Sequence, residues 1–289
     1  MKIFITGCNG KVGQNLSNHL INKNYFCILN SRKKINIRGI KKNFKYYKAD
    51  ILEKNFDIPE CEVIIHTAAI TPENNKEKIS VNKLIDKKIF NLIKKSKKIR
   101  KIIFFSTAAI YHQNNYCRKV DENSKILSKS QYSSLKLNSE KLYLQNKYIK
   151  VYNIRLPGLL LTRKENNFVS NLVKNIKKIK RTNIYNPKQN FNNLLLITSL
   201  NFFIENLIKK NFNSGNILLG SSQPMKLIHI TKIIADYFRV NSYINWKINK
   251  KRGFYLNINR AIKKYNFKPL STKKSILDYL KKNYPQKNV

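Results

Sequence analysis

Short, uninterrupted apolar runs alternate along this chain with longer segments of helical spacing, and that alternation restricts the fold more than any other feature. The runs "KIFIT" (2–6), "FCILN" (26–30), "KYYKA" (45–49), "EVIIHTA" (62–68), "KIIFFST" (101–107), "KVYNIRL" (150–156) and "NILLG" (216–220) have strand length. Between them, Leu16, Leu20 and Ile21 fall on one helical face, as do Leu84, Ile85, Ile89, Leu92 and Ile93. A half-exposed strand would alternate apolar with polar residues. Continuously apolar strands separated by helices are covered on both faces, which means parallel pairing. The pattern predicts an α/β fold with a doubly wound parallel sheet.

The order loosens after residue 157. Helical stretches near 166–180 and 198–211 precede "NILLG", and others follow near 226–238 and 272–283. Residues 1–157 are expected to form a Rossmann-type dinucleotide-binding domain. Residues 158–289 are expected to form a smaller C-terminal substrate-binding lobe, with a segment returning to the sheet near 190–220. No internal repeat or Gly/Ser-rich linker divides the two.

A hydrophobic fraction of 42% over 289 residues supports a sizeable core. No run of about 18 apolar residues spans a bilayer, and "MKIFITG" leads directly into a strand rather than a signal segment. Cys8, Cys27, Cys61 and Cys117 have neither C-x-x-C spacing nor paired histidines. The expectation is a reduced, cytoplasmic protein without a metal site or a disulfide framework. Lys and Arg total 58 against 15 Asp and Glu, a formal net charge of +43. Asn and Ile are inflated alongside Lys, and the lysines are scattered over the whole length. A phosphate-binding surface would need neither Ile nor scatter, so the charge reads as composition, and no nucleic-acid partner is expected from it.

The stretch "FITGCNGKVG" (4–13) sets Gly7, Gly10 and Gly13 three apart, after a predicted strand and at the start of a predicted helix. That context suits a dinucleotide loop, in which helix N–H groups face a pyrophosphate. A Walker loop is excluded, because no Gly stands five positions ahead of the Gly10–Lys11 pair. At the end of the second strand an NAD-binding fold usually places an acid on the ribose hydroxyls. Here "ILNSRKK" offers Ser31 and Arg32, which suit a 2′-phosphate. The expected cofactor is NADP, with NAD possible.

Tyr132 and Lys136 in "QYSSLKLNSEK" are four apart and share a helix face. Upstream, "FFSTAAIY" is a strand that ends in the hydroxyls of Ser106 and Thr107, and strand ends face the ligand crevice of an open α/β sheet. A free tyrosine has a pKa near 10, and lowering it to about 7 requires about 4 kcal/mol of differential stabilisation. A neighbouring lysine cation favours the phenolate in this way. The phenol could then exchange a proton with a sugar hydroxyl, held also by Thr107, while hydride moves at its carbon.

With these motifs in place, the sequence resembles the extended short-chain dehydrogenase/reductases, the NAD(P)-dependent sugar epimerase/dehydratase family. "TGCNGKVG" is similar to T-G-x-x-G-x-x-G, "KADI" to G-D-[IL], "IIHTAAI" to V-I-H-x-A-A, and "FFSTAAIY" with "YSSLK" to the paired catalytic motifs. "VN" (81–82), "NIRLPGLL" (153–160) and "LNINRAIKKYNFKPLST" (256–272) extend the likeness through most of the chain. The resemblance implies Tyr132 as acid/base, Lys136 as its partner on the ribose and Thr107 as the hydroxyl anchor. It also implies that Lys11, Val12, Asp50, Ile51, Thr67, Ala68, Ala69, Asn82, Tyr132 and Lys136 line the cofactor with the three glycines, Ser31 and Arg32.

Several positions depart from the pattern. His112 replaces a Gly and reads as a loop histidine, Asn24 stands at a turn Gly position, and Thr198–Ser199 replaces an acidic pair. Ala108 follows Thr107 where dehydratases of the family carry an acid. The implied activity is therefore 4-keto reduction or 4-epimerisation of a nucleotide-activated sugar, with reduction slightly preferred, in surface-polysaccharide biosynthesis by a homodimer free of the membrane. The reading from another class is a nucleic-acid-binding or regulatory protein on the same fold.

Overall fold

In the computed structural model the described residues are 1–33, 43–72, 75–111, 119–127, 130–162, 165–241, 243–248 and 253–286. His112 and Cys117 lie outside them. Seven strands form the central sheet: β1 (Lys2–Thr6), β2 (Phe26–Ser31), β3 (Phe44–Lys48), β4 (Val63–His66), β5 (Lys101–Thr107), β6 (Lys150–Leu156) and β7 (Gly215–Leu218). Their order across the sheet is β7-β6-β5-β4-β1-β2-β3. The sheet is parallel and helix-flanked, as the continuous apolar runs predict.

The helices of the chain's described residues are α1 (Lys11–Asn22), α2 (Val81–Lys95), α3 (Gln131–Leu144), α4 (Phe168–Lys177), α5 (Ile197–Lys209), α6 (Leu227–Phe238), α7 (Asn259–Tyr265) and α8 (Thr272–Asn283). Asn24 closes the turn after α1 at φ 64°, a left-handed conformation that Asn accepts at little cost.

Two compact units divide the chain. The first comprises residues 1–110, 128–155 and 201–217, and the second 111–127, 156–200 and 218–289. In the first, Phe4, Ile64, Ile89, Ile102, Phe104 and Val151 pack between sheet and helices. The buried Lys101 ammonium donates to the carbonyls of Leu207 (3.2 Å), Ile208 (2.7 Å) and Lys210 (2.8 Å), which satisfies the open C-terminal end of α5. In the second unit α4, α6 and α8 enclose a separate core around Val173, Ile176, Leu196, Ile230, Ile276 and Leu280. Short parallel pairs edge it: Gly158–Leu160 with Leu194–Leu196, and Thr182–Tyr185 with Ile244–Lys247. Among the described residues no helix is long and apolar enough to cross a membrane.

The register fixes which chain ends converge. Thr6 aligns with Asn30 on β2 and with His66 on β4, and His66 aligns with Phe104 on β5. The strand order departs from β1 in opposite senses, β2 and β3 on one side and β4 to β7 on the other, so the gap between β1 and β4 is the switch point where open α/β sheets bind ligands.

Candidate active site

The glycine loop follows β1 at that switch point, and its three glycines do different work. Gly7 has φ +67°, and a Cβ there would sit 2.5 Å from the Ala68 Cα. A Cβ on Gly13 would lie 2.5 Å from the Gly7 carbonyl oxygen and 2.6 Å from Thr67 Oγ1. Both positions are closed to any side chain, because the loop presses on the end of β4. Gly10 is the N-cap of α1, where its N–H donates to the Gly7 carbonyl and its own carbonyl accepts from Gln14 N–H. No side chain caps this helix end and its first turn carries no acid. The Thr67 hydroxyl donates to the Thr6 carbonyl at 2.6 Å, which ties the loop to β4.

These features fit a dinucleotide. An exposed helix N-terminus attracts a pyrophosphate, and the absence of first-turn carboxylates leaves its positive end unopposed. Lys11, Val12 and Gly13 supply that first turn.

Other sequence-predicted cofactor residues are more committed to structure. The Asn82 amide accepts from Ile70 N–H and donates to the Ile70 carbonyl, both at 2.8 Å. It therefore shapes the Thr67–Ala68–Ala69 segment from behind, with its polar atoms already used. The Ile51 side chain is buried in the core with Phe4, Ile28 and Phe56. Asp50 accepts from Leu52 N–H and lies 3.9 Å from the Arg32 guanidinium. The Ser31 hydroxyl is nearly buried and donates to the Lys33 carbonyl at 2.5 Å, so it closes the turn after β2. Arg32 remains largely exposed at the same strand end, with 75% of its side chain open to solvent.

The second cluster lies where β5 meets α3. Ser130 caps α3, accepting from Ser133 N–H at 3.1 Å, which starts the helix at Gln131 and sets Tyr132 in its first turn. Tyr132 is half-buried there. One turn on, Lys136 is buried and its ammonium lies 4.4 Å from the Phe104 ring centre. Phe104 is three residues before Thr107 on β5, so the phenol, ammonium and hydroxyl elements share one corner of the sheet.

Thr107 Oγ1 accepts from Ala109 N–H at 3.1 Å, which turns the chain at the strand end. The Ser106 hydroxyl is buried with no partner among the described residues. Thr107→Val keeps the shape and removes the oxygen, and turnover is expected to fall about tenfold, the scale of one lost positioning hydrogen bond. Steady-state kinetics of Thr107→Val and Ser106→Ala decide between the two hydroxyls: a larger loss in the serine variant would reassign the anchor.

Beneath Lys136 is a polar network that spacing alone does not reveal. The His66 ring bridges Thr6 Oγ1 (2.6 Å to Nδ1) and Asp86 Oδ1 (2.9 Å to Nε2). Ser139 donates to Asp86 Oδ2 at 2.5 Å, and the Tyr143 hydroxyl donates to the Asp86 carbonyl at 3.2 Å. Arg155 on β6 grips Glu140 on α3, with Nη2 2.7 Å from Oε2 and Nε 3.0 Å from Oε1. All these side chains are buried. Asp86 falls inside an apolar helix face, Glu140 stands beside Lys141 in a polar helix stretch, and Arg155 lies in the otherwise uncharged run "VYNIRL" (151–156). The one sequence signal was their placement near the Tyr132–Lys136 pair and the IIHTAAI strand. No group of three or more possible metal ligands occurs among the described residues.

Comparison with known proteins bears on the family and the fold. A model of the NAD dependent epimerase/dehydratase family matches residues 3–194. An uncharacterised protein of Methanocaldococcus jannaschii is 23% identical over 278 residues, covering 86% of this chain and 82% of its own. The dTDP-D-glucose 4,6-dehydratase of Dictyostelium discoideum is 24% identical over 277 residues, covering 81% of this chain and 62% of that enzyme. Among solved structures, the UDP-glucuronic acid 4-epimerase of Bacillus cereus in complex with NAD superposes with a TM-score of 0.79 at 21% identity, covering 98% of both chains. With the family model spanning about two thirds of its length, this chain belongs to the NAD-dependent epimerase/dehydratase family.

Proposed function

We propose that the protein interconverts alcohol and ketone at C4 of a nucleotide-linked sugar. The observation that carries this reading is that Lys136, one helix turn after Tyr132 on α3, lies against Phe104, three residues before Thr107 at the carboxyl end of β5. Bound nicotinamide supplies hydride acceptance and return. The protein's own groups manage the proton: Tyr132 exchanges it with the sugar oxygen, Thr107 holds that oxygen, and the Lys136 cation favours the phenolate. Gly7, Gly10 and Gly13 with the first turn of α1 would hold the pyrophosphate.

Reduction of a 4-keto sugar with NADPH is the first reading. Arg32 supports it, because an exposed guanidinium ends β2 where an acid would otherwise meet the ribose diol. Ser31 contributes only the shape of that turn, and Asp50 at 3.9 Å is a competitor that a 2′-phosphate would have to displace. Epimerisation at C4 with retained NAD is the second reading, favoured by the likeness to the Bacillus cereus epimerase, which has been solved with UDP-glucuronic acid and NAD.

One set of measurements tests both. The thermal midpoint is followed with NAD, NADP, their reduced forms and UDP-, dTDP-, GDP- and CDP-sugars, since a ligand that binds only the native state raises it. NADPH is expected to bind about ten- to a hundredfold more tightly than NADH, the contribution of one charge-assisted pair. That preference should persist at high salt, which screens a diffuse field but spares a formed contact. Net oxidation of NADPH on a 4-keto sugar identifies the reductase, and sugar inversion without net oxidation identifies the epimerase. No midpoint response to any nicotinamide cofactor would sink the reading.

A further inference from the structure

We propose that Asp86 is a positioning residue for this reaction: anchored by His66 and Ser139, its carboxylate keeps the buried Lys136 ammonium charged behind Tyr132. The inference rests on the proposed roles of Tyr132 and Lys136 and goes one layer deeper into the same site.

Four charged side chains are buried in this corner: Lys136, Asp86, Glu140 and Arg155. Arg155 engages Glu140 with two of its nitrogens, so those charges answer each other. Asp86 and Lys136 are the other two buried charges, and the geometry brings them to one place: Ser139, three residues after Lys136 on α3, donates to Asp86, and the Lys136 ammonium and the His66 ring both lie against Phe104. Without a counter-charge, a buried ammonium sheds its proton, and a neutral lysine neither favours a phenolate nor binds a ribose as a cation. Burial does pull the Lys136 ammonium below the ordinary lysine range, with the charges of Asp86 and Glu140 opposing the fall. Burial alone would raise the Asp86 carboxyl, yet Lys136, the His66 contact and the Ser139 hydrogen bond hold it below the ordinary range.

The anchors also orient the group. Thr6 Oγ accepts from Ala68 N–H at 3.3 Å, so its own proton is available to His66 Nδ1. His66 then carries its proton on Nε2 and donates to Asp86 Oδ1 without needing a charge. One carboxylate oxygen takes His66 and the other takes Ser139, which fixes the carboxylate plane. The chain Thr6–His66–Asp86 begins at the residue before Gly7, so the glycine loop and the lysine are tied through one set of hydrogen bonds. The charged groups that act on Lys136 are Asp86 from α2 and Glu140 from its own helix; the Phe104 ring of β5 lies 4.4 Å from the ammonium, and Tyr132 stands one turn away on α3.

Asp86→Asn removes the charge and keeps the shape. The acid limb of the kcat/KM profile is expected to move up by about one pH unit, the lower end of what a close opposite charge contributes. Turnover below the limb would then fall about tenfold. Asp86→Glu should return part of the shift. The Lys136 side-chain NMR signal, assigned by its loss in Lys136→Met, should titrate at lower pH in Asp86→Asn than in the unmodified protein. That second readout does not depend on turnover. If Tyr132→Phe stays active, the functional reading fails, and the lysine titration still decides the role of Asp86. Should Asp86→Asn fail to fold, Ser139→Ala removes one anchor and is expected to shift both readouts in the same direction by less. An unmoved pH limb and an unmoved lysine titration in the folded variant would overturn the proposal, whatever the loss of activity.

Discussion

Replacing Tyr132 with Phe is expected to lower turnover at least about a hundredfold, the range for loss of an acid/base group. In free-energy terms that is about 2.7 kcal/mol of transition-state stabilisation. The argument is local. Tyr132 sits in the first turn of α3, set there by the Ser130 cap, and its ring is half-buried. Phe keeps the ring and its packing, so the cap, the helix and the Lys136 contact with Phe104 should persist. Only the phenolic oxygen leaves. Cofactor affinity, measured by titration, should change little, because the glycine loop and Lys136 are untouched. Loss in kcat and in kcat/KM by the same factor would mark an interaction made only in the transition state. Retained turnover would remove Tyr132 from its assigned role. A large loss in cofactor affinity would instead make the residue part of the binding site.

The sheet was legible because burial on both faces leaves a simple record. Each of the seven apolar runs became a strand of the central sheet; 2–6, 101–107 and 150–156 match at both ends, and the other four are shifted by one or two residues, as for 62–68 against Val63–His66. Helices in the second half were also readable: 272–283 matches α8, and 226–238 matches α6 to one residue. The helix at 259–265 and the two- to four-residue strands of the second unit were not. Their sequences are too short to show a period, and they form because distant segments supply the partners, as when Tyr255–Leu256 pairs with Lys119–Val120.

The same division runs through the site. The glycines, Tyr132 and Lys136 are visible because a close approach or a shared helix face leaves a spacing. The roles of Ser31 and Asn82 were not visible, because a polar side chain at a strand or helix end can turn outward to a ligand or inward to the backbone. Both turn inward, to Lys33 and to Ile70. Asp86, His66, Ser139, Glu140 and Arg155 come from four elements, and only the fold makes them neighbours.

Arg155→Met is expected to be the most damaging change to stability away from the reacting groups. Arg155 and Glu140 are each about 1% exposed, and the guanidinium is held in a two-nitrogen grip. The sheet strand β6 and the helix that carries Tyr132 and Lys136 are joined through this pair. Methionine fills much of the volume of the arginine stem but leaves the Glu140 carboxylate in the core without its hydrogen-bonded counter-charge. Breaking one side of a buried pair costs about 3–5 kcal/mol, which for a chain of this size lowers the thermal midpoint by on the order of 10 °C. The intact pair contributes much less than that, because both ions were desolvated to form it. The double variant Glu140→Leu with Arg155→Met therefore should recover most of the loss, since it removes the stranded charge along with its partner. Calorimetry of the two single variants and the double separates the terms. A double variant no more stable than Arg155→Met would show that the loss came from packing around the methionine, and the ion pair would cease to be what ties α3 to the sheet.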